Sequence, residues 1–206
     1  MSIDIRDIPV YCIVAPGEGD RLEKFLGYNG FTDVRISPGV PERKKVKGVA
    51  KAHMAALEKA LAECEGPFLV LENDVDILNT DMNVFVPDGA DAIYLGASMW
   101  GLRNGRGELN MISGEKYNGG LYRMYNMLAA HAVLYLNHDY AEFLLGAIPI
   151  FIKMETNQDK LRAETMKYWN IYAQGHPNFY QRGKYERYTK FKLSGYTMNS
   201  LHTYYK

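Results

Sequence analysis

The sequence predicts an α/β fold in one domain: a mixed, mostly parallel sheet flanked by helices, with a more antiparallel second half. Three observations carry this expectation. In the first half, short apolar runs that suit strands alternate with helical segments, and parallel pairing through right-handed crossovers is the default for that alternation. The run Pro67-Phe68-Leu69-Val70-Leu71 is a strand apolar on both faces, and it opens directly into Glu72, Asp74 and Asp76. Past residue 120 the apolar segments are rich in aromatic and aliphatic residues, which favour strands.

In chain order, residues 9–15 form a first buried strand, broken by Pro16-Gly17-Glu18-Gly19 before Asp20 caps a helix reaching about Leu26. Residues 32–37 alternate apolar and polar like a second strand, closed by Pro38-Gly39-Val40-Pro41. The clearest helix spans 43–64, with Val46, Val49, Ala50, Leu57, Ala60, Leu61 and Cys64 as its apolar stripe and His53 on that stripe. Strands follow at 68–71 and 91–96. Between 100 and 120, Gly, Asn and Ser break the periodicity, which predicts a long loop or an irregular hairpin. Strands are expected at 121–128 and 131–136, a short helix at 139–145, a helix at 157–166 and a last short strand at 171–172.

Hydrophobic residues make up 47% of the chain and charged residues 23%, which excludes wholesale disorder. Formal net charge is zero, so no global field draws the protein to nucleic acid or an acidic membrane, and such a partner must meet a local patch. The amino-terminal Met1-Ser2-Ile3-Asp4-Ile5-Arg6-Asp7 carries charge where a secretory signal needs an apolar run, and no window is long and apolar enough for a transmembrane segment. A cytoplasmic location is expected. Cys12 and Cys64 read as free thiols. No internal repeat is present.

Glu72, Asp74 and Asp76 emerge at the carboxyl end of a strand, the edge where open α/β sheets bind ligands. Carboxylates two residues apart point the same way along extended backbone and suit a hard cation, Mg²⁺ or Mn²⁺. A solvated acidic turn after a core strand is the plainer alternative.

This arrangement resembles the GT-A (Rossmann-like) class of nucleotide-sugar glycosyltransferases, in which an acidic motif at a strand end holds a metal against the donor diphosphate. Several segments, in the right order, are similar to glycosyltransferase family 25, the lipopolysaccharide and collagen group. They are Ile13-Val14-Ala15-Pro16 followed by Asp20-Arg21, then Gly48 and His53, then Leu71-Glu72-Asn73-Asp74-Val75, and then Asp91-Ala92-Ile93-Tyr94-Leu95-Gly96. Ala132-Val133-Leu134-Tyr135 with Ala141-Glu142-Phe143-Leu144, Asp159, and Pro177 through Gln181 complete the series over about residues 9–183. The likeness implies a GT-A-like domain over 1–183 and a nucleotide-sugar donor, with Pro16, Arg21, His53 and Glu72 around it. It also implies metal binding by Asp74 with Asp76, Asp159 as the base of an inverting transfer, and a saccharide or other hydroxyl acceptor.

The chain departs from the family at Asn73, which stands where the signature has a second carboxylate, and at the missing Cys and Ser before His53. Two registers stay open, Glu72 with Asp74 or Asp74 with Asp76. His53 is equally readable as a core histidine and Asp159 as an ordinary first-turn residue; Asp91 and Asp139 read as caps or turns. His131, His176 and His202 are available as a further ligand, and nothing selects among them. Beyond residue 183, a basic, tyrosine-rich extension (184–206) suggests a competing reading as a nucleic-acid-binding module or a DNA-base-modifying transferase. A catalytically silent relative is a third.

Overall fold

Val10, Cys12 and Val14 pack into one hydrophobic core while Tyr11 and Ile13 pack into another, because successive side chains of a strand leave opposite faces of its sheet. A computed structural model of the chain describes residues 1–15, 19–98, 100–103 and 109–181. Its elements run β1 (Ser2–Asp4), β2 (Val10–Val14), α1 (Gly19–Tyr28), β3 (Val34–Pro38), α2 (Lys45–Glu63), β4 (Phe68–Glu72), β5 (Val75–Ile77), β6 (Asn83–Phe85) and β7 (Ala92–Tyr94). Then come β8 (Trp100–Arg103), β9 (Leu109–Met111), β10 (Ser113–Lys116), β11 (Leu121–Asn126), β12 (Ala132–Tyr135), α3 (His138–Lys153), α4 (Gln158–Thr165), a 3₁₀ turn (Met166–Tyr168), β13 (Ile171–Gln174) and β14 (Phe179–Gln181).

Eight strands form the central sheet in the order β10-β11-β13-β7-β12-β4-β2-β3. The pairings of β2 with β3, β2 with β4 and β7 with β13 are parallel; β12 is antiparallel to both β4 and β7, and β11 to both β10 and β13. Six of the eight strands therefore share one direction, with the reversals contributed by β11 and β12. The expected α/β domain with a mixed, mostly parallel sheet and an antiparallel second half is what forms. α1 covers one face through Leu22 and Leu26. α2 and α3 cover the other, against Tyr11, Phe68, Val70, Val133 and Tyr135.

The structure also differs from the sequence reading. The helix expected to stop near residue 145 runs on to Lys153 through Pro149, carrying the fully buried Ile148 into the core; packing of that face outweighs the local cost of proline. Three-residue strands β1, β5, β6 and β14 are too short to show a period in sequence, and the strand expected to be the last is followed by β14. On α2, Val46 is an exposed large hydrophobe rather than part of the core stripe; the buried face consists of Gly48, Ala50, Ala52, His53, Ala56, Leu57 and Ala60. Cys12 and Cys64 are free, and burial pushes the Cys12 thiol up to about 12. Among the described residues no helix is long and apolar enough to cross a membrane. The boundary expected at 183 and the basic extension lie outside the described residues, as does Pro16.

Candidate active site

A cleft of about 630 Å³ opens beyond Val14 and Glu72, the last residues of β2 and β4. Its floor is the strand ends and its sides are loop 39–42, the first three turns of α2, and the start of α4. Two glycines let these segments approach. A Cβ on Gly39 would stand 2.8 Å from the Val14 carbonyl oxygen, and one on Gly48 2.6 Å from that of Val40, so neither position has room for a side chain without movement of backbone. Val46 and Val49 line the cleft rather than the core. Lys51 pairs with Glu42 at one side, and Lys44 and Lys47 both pair with Glu155, tying the start of α2 to the turn that leads into α4.

Glu72 ends β4, Asn73 and Asp74 form the turn to β5, and all three line the cleft. β14 pairs antiparallel with β5 in a register that sets Gln181 opposite Val75, immediately beside that turn. From there one Gln181 amide nitrogen reaches both acids: Nε2 lies 3.1 Å from Asp74 Oδ2 and 3.4 Å from Glu72 Oε2. His53, fully buried on α2, holds the other Glu72 oxygen, with Nε2 2.8 Å from Oε1. Its Nδ1 has no hydrogen-bond partner among the described residues, so Nε2 is the ring nitrogen that ties α2 to Glu72. His53 is thus both a core residue and part of the cleft wall.

Asp159 also lines the cleft, from the first turn of α4. Asn157 caps that helix, its side chain accepting from the Asp159 backbone N–H at 3.0 Å, and the Gln158 amide donates to Asp159 Oδ1 at 2.7 Å. Asp76 is absent from the lining. It sits within β5, paired with Tyr180, and burial pushes its carboxyl upward while the charge of Arg21 pulls it down. Arg21, exposed on α1, is also absent from the lining; among the described residues the cation that lines the cleft is Lys45, at the start of α2.

His131 and His176 do not line the cleft. His131 is buried with its ring over Gly96, where a Cβ would stand 2.1 Å from Nε2, and His176 is exposed. His202 lies outside the described residues. Asp91 is structural: it accepts from the Asn137 side chain and the Asn170 backbone, while Asp139 sits in the first turn of α3.

Among the described residues no three His, Cys, Asp or Glu side chains form a group suited to a metal. Two carboxylates on one cleft wall nonetheless fit Mg²⁺ or Mn²⁺, since Mg²⁺ in nucleotide enzymes is ordinarily held by one or two carboxylates with substrate phosphates and water completing the shell. Lys45 carried no signal of function in the sequence. Gln181 was visible only as the end of the Pro177-to-Gln181 segment, because its role depends on a strand pairing more than a hundred residues away.

No family model and no curated protein matches the chain. Solved structures do. A nucleoside-diphosphate-sugar pyrophosphorylase from Vibrio cholerae RC9 superposes with a TM-score of 0.52 at 14% identity, over 91% of this chain and 81% of that one. A glycosyltransferase involved in glycosylation of the major capsid of PBCV-1 gives 0.47 at 9% identity, over 89% of this chain and 99% of that one. A UDP-glucose pyrophosphorylase complexed with UDP-glucose gives 0.47 at 12%, over 92% and 98%. The first of these likenesses shows the fold: an α/β domain resembling the nucleotide-diphospho-sugar transferase architecture.

Proposed function

We propose that the chain is a metal-dependent glycosyltransferase of the family 25 kind, moving a sugar from a nucleotide-sugar donor to an acceptor hydroxyl with inversion. The observation that carries this reading is the meeting, in one cleft, of the Gln181-bridged pair Glu72 and Asp74 with Asp159 at the start of α4. The cleft volume suits a ligand of nucleotide-sugar size.

In this reading Asp74 is the principal metal ligand and Glu72 its partner, rather than Asp76. A divalent cation bound there would neutralise the charge that develops on the departing nucleoside diphosphate. Gln181 spaces the two acids by donating to both, and His53 fixes the rotation of Glu72. Lys45, rather than Arg21, is the cation that meets the donor's phosphates, at a helix start with no acidic residue in its first turn. Asp159, held by Gln158 in the first turn of α4, accepts the proton of the acceptor hydroxyl as it attacks the sugar carbon from the face opposite the leaving group.

The test is a thermal-shift screen of nucleotide sugars with and without Mn²⁺, followed by product analysis. A stabilising shift that needs both donor and metal, with release of nucleoside diphosphate on turnover, is the expected result. Release or consumption of pyrophosphate instead would make the protein a nucleotidyltransferase, and binding indifferent to metal would remove the role given to Asp74.

A further inference from the structure

We propose that Arg162 and Gln158 form a positioning relay behind Asp159, in which a buried guanidinium aims an amide and the amide aims the carboxylate. The inference rests on the reading of Asp159 as the base, and it adds two residues that never reach the substrate.

Arg162 is fully buried and Gln158 is 1% exposed; they lie four residues apart, on one face of α4. Arg162 Nε donates to Gln158 Oε1 at 2.6 Å and Nη1 donates to the Tyr135 hydroxyl at 2.6 Å. No carboxylate forms an ion pair with Arg162 among the described residues. The phenols around it supply no anion, because burial raises all three: Tyr94 up to about 12, Tyr135 above its ordinary value and Tyr140 well above it. A buried charge without an ion partner is expensive, and for packing alone an apolar residue of similar volume would serve as well or better.

What the charge does is set the Gln158 amide. Its oxygen can only accept and its nitrogen can only donate, so a guanidinium at Oε1 fixes which end faces which way. The end that remains, Nε2, meets Asp159 Oδ1 at 2.7 Å. With Asn157 capping the Asp159 backbone, both the main chain and the side chain of the base are held from the protein side of the cleft. The electrostatic sense is also consistent: cation, polarised amide and carboxylate follow one another in line.

Gln158→Glu separates this role from a structural one. The new carboxylate gives Arg162 the ion partner it lacks, so melting temperature is kept or raised, yet it repels Asp159 instead of donating to it. The expected result is a fall in kcat of about 100-fold, the cost of a misplaced catalytic group, with the donor KM unchanged. Gln158→Leu and Arg162→Met should lower kcat likewise, and neither should lower it further in an Asp159→Asn background. Wild-type kcat in Gln158→Glu, or losses that add to that of Asp159→Asn, would overturn the relay. If Asp159→Asn itself leaves transfer untouched, the base assignment falls. The relay is then decided by the NMR signals of the Gln158 side-chain amide: shifts in both Asp159→Asn and Arg162→Met retain it, and unmoved signals end it.

Discussion

The two walls of the cleft solve the same problem, holding carboxylates at a ligand surface, in opposite ways. On the strand-end wall two acids, Glu72 and Asp74, share a neutral amide from Gln181. That donor orients both acids and itself carries no charge. On the helix-start wall a single acid, Asp159, is backed through Gln158 by the buried charge of Arg162. That wall tends toward neutrality, which suits a proton acceptor more than a metal ligand. The identity of what stands behind each carboxylate, amide or cation, separates their chemistry more than the carboxylates themselves do.

The largest break in that comparison is Asp74→Ala. It removes the carboxylate at the centre of the strand-end wall, and transfer should fall on the order of 10³-fold, with the Mn²⁺-dependent part of the donor thermal shift lost. Asp159→Asn should act differently. A loss of about 10²-fold in kcat is expected while metal-dependent donor binding stays at the wild-type level, measured by steady-state kinetics beside the same thermal shift. If both variants lose donor binding alike, the walls do not divide the work.

The strand-end wall was legible in sequence and the helix-start wall much less so. An apolar run that ends in three acids announces a strand edge by itself, and β2, β3, β4, β7, β12, α1 and α2 followed from period and punctuation. Asp159 could be named only through a family likeness, because an acid in a first helical turn has an ordinary explanation. Arg162 and Gln158 gave no signal: a surface helix also spaces Gln and Arg four apart, and only the packing of α4 against the Tyr135 side of the sheet shows that this pair is buried. Gln181 was named only as the end of a family-like segment, and its link to Glu72 and Asp74 comes from a three-residue strand. Long-range pairing of short elements leaves no local trace.

Gln181→Leu probes what the shared amide contributes. With the bridge gone, Glu72 and Asp74 lose a common donor and their relative orientation, and metal affinity should drop about tenfold or somewhat more, as when a residue supporting metal ligands is removed. The readout is the Mn²⁺ concentration needed for half of the donor-induced shift. Unchanged metal affinity would mean that the bridge is incidental.

The finest distinction concerns which acid accompanies Asp74. Residues two apart on extended backbone face the same way, which left both Glu72 and Asp76 open as partners, and the family likeness paired Asp74 with Asp76. The turn at Asn73 and Asp74 breaks that premise. Asp74 lies outside β5 and on the cleft wall, whereas Asp76 lies inside β5, opposite Tyr180 in the ladder with β14 and near the charge of Arg21. Glu72, at the end of β4, shares the Gln181 nitrogen with Asp74 and so stands on the same side of the turn. Glu72→Gln should therefore raise the Mn²⁺ requirement for donor binding, by less than Asp74→Ala does, and Asp76→Asn should leave it where it is. The reverse order in a metal titration would restore the pairing of Asp74 with Asp76 and move the metal one residue pair along the strand.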